Sequence, residues 1–187
     1  MATILFRYQP QYRSPRLNQG FNVDHLWSPW RYRYVTKADP PGPACIFCAK
    51  AEPGNENADL IVFRGGACFG LLNLFPYTNG HLMIAPMLHV SRIEDLPEAD
   101  WIELMRYARL AEKNLRDVYQ CEGLNLGFNI GTVAGAGIAG HIHLHILPRW
   151  SGDANFMTVV GETRVHPEDL SESLRKLSAC NWSLPAL

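Results

Sequence analysis

No run of consecutive apolar residues in this 187-residue chain approaches the ~18–20 that a membrane-spanning helix needs. A dominant charge sign is missing too. Seventeen Lys and Arg stand against 18 Asp and Glu, for a net charge of −1 and a pI near 6.6. Nothing global therefore points to nucleic acid or to a membrane surface. Met1 to Tyr8 lacks the longer apolar core of a secretory signal. No internal repeat is visible, and no Gly-Lys-Ser/Thr occurs, which excludes a Walker-type phosphate loop. Cysteine is sparse and odd in number: five residues, two of them in Cys45-Ile46-Phe47-Cys48. That favours metal or redox use in a reducing compartment over a disulfide framework, so a cytoplasmic protein is expected.

What is present suffices for one sizeable core, since 47% of the residues are hydrophobic and 19% charged and the length suits a single domain. The charge is unevenly spread. Residues 1–38 carry Arg7, Arg13, Arg16, Arg31, Arg33 and Lys37 against Asp24 alone. Residues 1–43 are expected to form a basic, aromatic arm, broken by Pro10, Pro15 and Gly20 and closed by Pro40-Pro41-Gly42-Pro43. Its segment Leu26-Trp27-Ser28-Pro29-Trp30-Arg31-Tyr32 is apolar enough to need cover from the body or from a partner subunit. The main domain is expected over 44–165, with a C-terminal helix and tail over 166–187.

Within the main domain, Leu60-Ile61-Val62-Phe63 and Cys68-Phe69-Gly70-Leu71-Leu72 flank Arg64-Gly65-Gly66 and predict a hairpin. Pro76-Tyr77-Thr78-Asn79-Gly80 is turn chemistry, followed by a strand over His81–Ala85 that Pro86 ends. Trp101, Met105, Ala108, Ala111, Leu115 and Val118 recur at three- and four-residue steps, predicting a long helix from Glu98 to Tyr119. Strands over Leu124–Ile130 and His141–Leu147 complete an antiparallel sheet of about five strands, and Pro167-Glu168-Asp169-Leu170 opens a shorter helix. Strands before and after one long helix predict an α+β fold with that helix packed on the sheet.

The chemistry concentrates in His141-Ile142-His143-Leu144-His145. On a strand the three imidazoles share a face, roughly 6–7 Å apart at the backbone, while Ile142, Leu144 and Ile146 point to the core. Three imidazoles on one face make a site, because imidazole can act as nucleophile, acid or base near neutral pH. The pair Cys45 and Cys48 could be a redox couple. It could equally supply two zinc thiolates, with His89 and His141 as candidate partners in a closed, structural tetrahedron. Gly135, Gly137 and Gly140 satisfy G-x-G-x-x-G, but a strand follows where a dinucleotide-binding turn needs a helix. What survives is a glycine-rich loop whose amides can approach phosphate oxygens. Cys68, Cys121 and Cys180 have no activating neighbour in the sequence pattern and are read as structural.

Assembled, these residues resemble the histidine-triad (HIT) family. Gly140-His141-Ile142-His143-Leu144-His145-Ile146-Leu147 matches its H-φ-H-φ-H-φ-φ motif, where φ is apolar. Leu72-Asn73-Leu74-Phe75-Pro76-Tyr77-Thr78-Asn79-Gly80-His81 is similar to the family's nucleoside-holding strand and turn. Within the family, Leu26–Arg31 and Pro148-Arg149-Trp150-Ser151-Gly152-Asp153-Ala154-Asn155-Phe156-Met157 resemble the bacterial diadenosine tetraphosphate phosphorylase group. The resemblance implies nucleotidyl transfer through a covalent intermediate on His143, with His145 donating to phosphate oxygens. It implies substrate contacts from Asn73, His81, Asn129, the loop at Gly137, and Trp150. It also implies a structural zinc on Cys45, Cys48, His89 and His141, and a homodimer or tetramer with the sheet continued across subunits. Members often carry Gly-Ser where this chain has Ala136-Gly137, which leaves open whether phosphate or water accepts the nucleotide. A nucleotide-binding protein with little turnover is the reading from another class.

Overall fold

The structure is a computed structural model that describes residues 45–52, 60–153 and 168–185. The expected N-terminal arm, Ala154–Met157 and Pro167 lie outside the described residues. The predicted hairpin forms as β1 (Ile61–Arg64) paired antiparallel with β2 (Cys68–Leu72), with a register shift between Ile61 and Phe63. Its turn is closed from the side by Glu103, whose carboxylate accepts from the Ala67 amide at 2.8 Å. A Cβ on Gly65 would lie 2.5 Å from that carboxylate, so the approach requires glycine.

β3 (Leu82–Pro86) pairs with β2, and β5 (Leu144–Arg149) joins β3 to β4 (Gly123–Phe128), giving one antiparallel sheet of order β1-β2-β3-β5-β4. The α+β expectation is therefore met, with five strands, a long helix and a shorter C-terminal helix. Three details differ from the sequence reading. The C-x-x-C segment opens a short helix, α1 (Ile46–Ala51). β4 stops at Phe128, before the predicted Ile130. β5 begins at Leu144, so His141 to His143 lead into the strand and are not part of its ladder.

The long helix α2 spans Glu98–Tyr119, as its apolar periodicity predicts. Its buried face is Leu104, Tyr107, Ala108, Ala111 and Leu115, whereas Met105, one of the predicted stripe, is 40% exposed. Each residue steps about 100° round a helix, so the sheet takes Leu104 and turns Met105 to the flank. α3 (Leu170–Ser178) is capped by the Asp169 side chain, which accepts from the Glu172 amide at 2.9 Å.

Alternation along the strands divides two apolar layers. Cys68, Leu72, Leu82, Ile84, Leu144 and Ile146 pack beneath α2, where Leu177 of α3 joins them. Phe63 stacks between Tyr107 and Trp182, each ring centroid 4.4 Å away, which ties the C-terminal segment to this layer. Phe69, Leu71, Met83 and Ala85 point the other way and pack with Phe47 of α1. Among the described residues no helix is long and apolar enough to cross a membrane.

Candidate active site and metal centre

The second layer is where the histidines gather. Antiparallel pairing sets Met83 opposite His145 and Leu82 opposite Ile146. The predicted split holds for Leu144 and Ile146, which enter the α2 layer. His141, His143 and His145 are all buried. Phe47 covers two of them, its ring 5.2 Å from His141 and 4.8 Å from His143 between centroids. Tyr77 lies 4.8 Å from the His81 ring and 6.2 Å from that of His145. Neither Phe47 nor the Tyr77 ring is among the site residues expected from the sequence. The one signal for Phe47 was its place between the two cysteines of the C-x-x-C pair.

Hydrogen-bond partners assign the ring protons. Nδ1 of His143 lies 2.8 Å from the backbone oxygen of His141. A carbonyl only accepts, so Nδ1 carries the proton and Nε2 keeps its lone pair. Burial lowers the pKa of His143, so the imidazole is neutral and nucleophilic at neutral pH. His145 sits edge-on to it at 4.8 Å. Nδ1 of His145 lies 2.9 Å from Nε2 of His81. Burial, with neighbouring imidazoles adding to it, holds His145 down to about 4 and His81 to about 3.

A turn delivers His81 to this cluster. Gly80 has φ +70°, and a Cβ there would lie 2.5 Å from the Tyr119 ring, so the helix end packs directly on the turn backbone. Tyr119 is held in turn by Glu168, to which its hydroxyl donates at 2.9 Å.

Cys45, Cys48, His89 and His141 converge, with one ligand atom from each lying within 4.8 Å of the others. The sulfur-to-Nδ1 separations are 3.3 Å for Cys45–His141, 3.1 Å for Cys48–His89 and 3.6 Å for Cys48–His141. Bond lengths of tetrahedral zinc place a sulfur and a nitrogen ligand about 3.6 Å apart, so the donor set fits such an ion with little adjustment. Orientation agrees: Nε2 of His141 donates to the Pro86 carbonyl at 2.9 Å, which turns the Nδ1 lone pair toward the sulfurs. These four residues can hold a metal ion, and four protein donors leave no position for water activation.

The remaining expected contacts are distributed around the cluster. Asn73 bonds the turn, its Oδ1 accepting from the Phe75 amide at 3.0 Å and its Nδ2 lying 3.4 Å from Nδ1 of His81. Asn129 is half-buried just past β4. In the glycine-rich loop, Gly131 and Gly135 take φ of 83° and 91° around a 3-10 turn, with Ala136 buried and Gly137 exposed. Trp150 is half-buried and its indole N–H donates to the Tyr119 carbonyl at 3.3 Å, so that donor is already engaged.

Comparison with known proteins places this geometry in a class. The HIT domain model matches residues 54–152. AP-4-A phosphorylase of Mycobacterium tuberculosis is 38% identical over 174 residues, covering 89% of this chain and 88% of the relative. The asymmetrical bis(5'-nucleosyl)-tetraphosphatase of Schizosaccharomyces pombe is 26% identical over 111 residues, 59% of this chain and 58% of that one. Among solved structures, a Zn-bound histidine triad family protein from Mycobacterium smegmatis superposes with TM-score 0.57 at 28% identity, over 73% of this chain and 91% of that chain. The chain belongs to the HIT family.

Proposed function

We propose that this protein transfers a nucleotidyl group from a dinucleoside polyphosphate, with His143 as the nucleophile. The observation that carries the reading is the 2.8 Å bond from Nδ1 of His143 to the His141 carbonyl, which reserves the Nε2 lone pair for phosphorus. With diadenosine tetraphosphate, Nε2 attacks the α-phosphorus and ATP leaves, so an adenylyl group is bonded to His143. Inorganic phosphate then displaces the imidazole at the same phosphorus and releases ADP. His145 donates to the non-bridging oxygens during both steps. Asn73, Asn129 and the loop at Gly137 contact ribose and phosphates, with Trp150 at the acceptor side. The 38% identity to a protein named AP-4-A phosphorylase supports phosphate as acceptor.

Water is the alternative acceptor, giving AMP in place of ADP. It is favoured by Ala136-Gly137, which offers no hydroxyl to a second phosphate, and by likeness to a relative named as a tetraphosphatase. Incubation with diadenosine tetraphosphate, with and without inorganic phosphate, separates the two. ADP and ATP appearing only with phosphate establish phosphorolysis, and AMP and ATP without it establish hydrolysis. The absence of both product pairs would refute the enzyme reading in favour of a nucleotide-binding protein.

The ion at Cys45, Cys48, His89 and His141 is read as a structural zinc, supported by the mixed sulfur–nitrogen donor set. Five unpaired thiols suit a reducing cytoplasm. A homodimer is supported by β4, a sheet edge with exposed Leu126, and by exposed Ile102 and Met105 on α2. The arm at 1–43 is read as an extension that packs between subunits.

A further inference from the structure

We propose that His81 is a positioning residue that fixes which nitrogen of His145 carries the proton, and that it does not itself touch the phosphate chain. The chain of hydrogen bonds starts at Asn73. Its Oδ1 accepts from the Phe75 amide at 3.0 Å, so the NH2 end is the one turned toward His81. That NH2 lies 3.4 Å from Nδ1 of His81, and the Tyr77 amide donates to the same nitrogen at 3.1 Å. A ring nitrogen that faces two N–H groups presents its lone pair. In a neutral imidazole the proton then resides on the other nitrogen, and burial holds this ring neutral.

Nε2 of His81 therefore donates, and its acceptor is Nδ1 of His145 at 2.9 Å. His145 is left with its proton on Nε2, the nitrogen that remains for a substrate oxygen. Both nitrogens of His81 are engaged and its side chain is 1% exposed, so no donor is left over for phosphate. The relay runs from the backbone of the Pro76–Gly80 turn, through two imidazoles, to the group that meets the substrate. It ties the turn that positions the substrate to the protonation pattern of the triad.

The kinetic consequence rests on the nucleotidyl-transfer reading, but the tautomer does not, and the test is built on that separation. Long-range 1H–15N spectra of the full 15N-labelled chain, without substrate, report which nitrogen of each imidazole is protonated. His145 is expected to show an unprotonated Nδ1 and a protonated Nε2, and His81 the same pattern. In His81→Leu, which keeps the volume and removes the donor, His145 should become a mixture of tautomers. In His81→Gln, whose amide can still donate, the single tautomer should return. A protonated Nδ1 on His145 of the native chain, or a His145 pattern unchanged in His81→Leu, would overturn the proposal. Should His81→Leu fail to fold, the native spectrum and His81→Gln decide alone. With dinucleoside polyphosphate, kcat should fall roughly 10- to 100-fold in His81→Leu with KM nearly unchanged, and recover in part in His81→Gln. A rise in KM with kcat preserved would instead place His81 on the phosphate chain. A native chain with no turnover would refute the function and leave the spectra to judge His81.

Discussion

His143 leans on the backbone of His141: its Nδ1 donates to the His141 carbonyl at 2.8 Å, while the His141 ring faces Cys45 at 3.3 Å. One residue thus belongs to the candidate metal cluster through its side chain and orients the proposed nucleophile through its main chain. The candidate metal cluster and the proposed nucleophile are therefore mechanically joined through His141. Phe47, between the two cysteines, packs on both imidazole rings.

Removing the nucleophile while keeping its surroundings is the sharpest test of the mechanism. His143→Ala should lower turnover of diadenosine tetraphosphate by at least ~10³-fold, as for loss of a covalent catalyst. Its circular dichroism and metal content should match those of the native chain. Intact-protein mass spectrometry should find a nucleotidyl adduct on the native chain and none on this variant. Retained activity would sink the mechanism.

Metal analysis of the purified protein should find about one zinc per chain, and Cys48→Ser should lose it. α1 has only six residues, too few to persist alone in water, so its anchorage depends on Phe47 and the cluster. Loss of a tightly bound ion should cost on the order of 4 kcal/mol when it was present at ~1,000 times its dissociation constant, read as a lower urea midpoint. Native protein purified with full stability and no metal would contradict the four-ligand centre.

Acid should destabilise the fold ahead of general carboxylate protonation. His81 and His145 are depressed to about 3 and about 4, against ~6.5 in the unfolded chain. Between about pH 6.5 and 4 the unfolded state binds the extra protons, so stability is complete above that window and falls as pH drops through it. The slope should approach ~1.4 kcal/mol per pH unit for each group. Urea midpoints across pH 4–7 should flatten in His81→Gln; an unchanged slope would show that these imidazoles already titrate in the native state.

Gly80→Ala tests the turn. The added methyl meets the Tyr119 ring at 2.5 Å, and the backbone holds φ +70°. A cost of about 1–3 kcal/mol is expected, with activity falling because the same turn presents His81. Equal stability and activity to the native chain would show that Tyr119 yields without moving the turn.

Much of this molecule was readable before any coordinates. The periodicity from Trp101 to Val118 predicted α2 from Glu98 to Tyr119, the limits observed, because an amphipathic stripe over six turns has few other solutions. Pro167-Glu168-Asp169-Leu170 announced the start of α3, and the Arg64-Gly65-Gly66 break announced the hairpin. Local chemistry was less faithful where tertiary packing overrode it. Met105 fitted the stripe but lost its place to Leu104, since the sheet's position chooses which side of a helix is buried. The apolar-polar alternation at His141–His145 predicted that the imidazoles share a face, but not that this face is buried beneath Phe47 and Tyr77, covers that come from distant sequence.

The sequence by itself determined the long helix, the approximate strand segments, the three alternating imidazoles and the residue types able to hold a metal, because these follow from local periodicity and side-chain chemistry. Tertiary structure alone decided that Cys45 and His141, 96 positions apart, meet at 3.3 Å, and that His81 faces His145. It also decided where the protons sit. A tautomer is set by what the other ring nitrogen touches, and that neighbour is chosen by the fold.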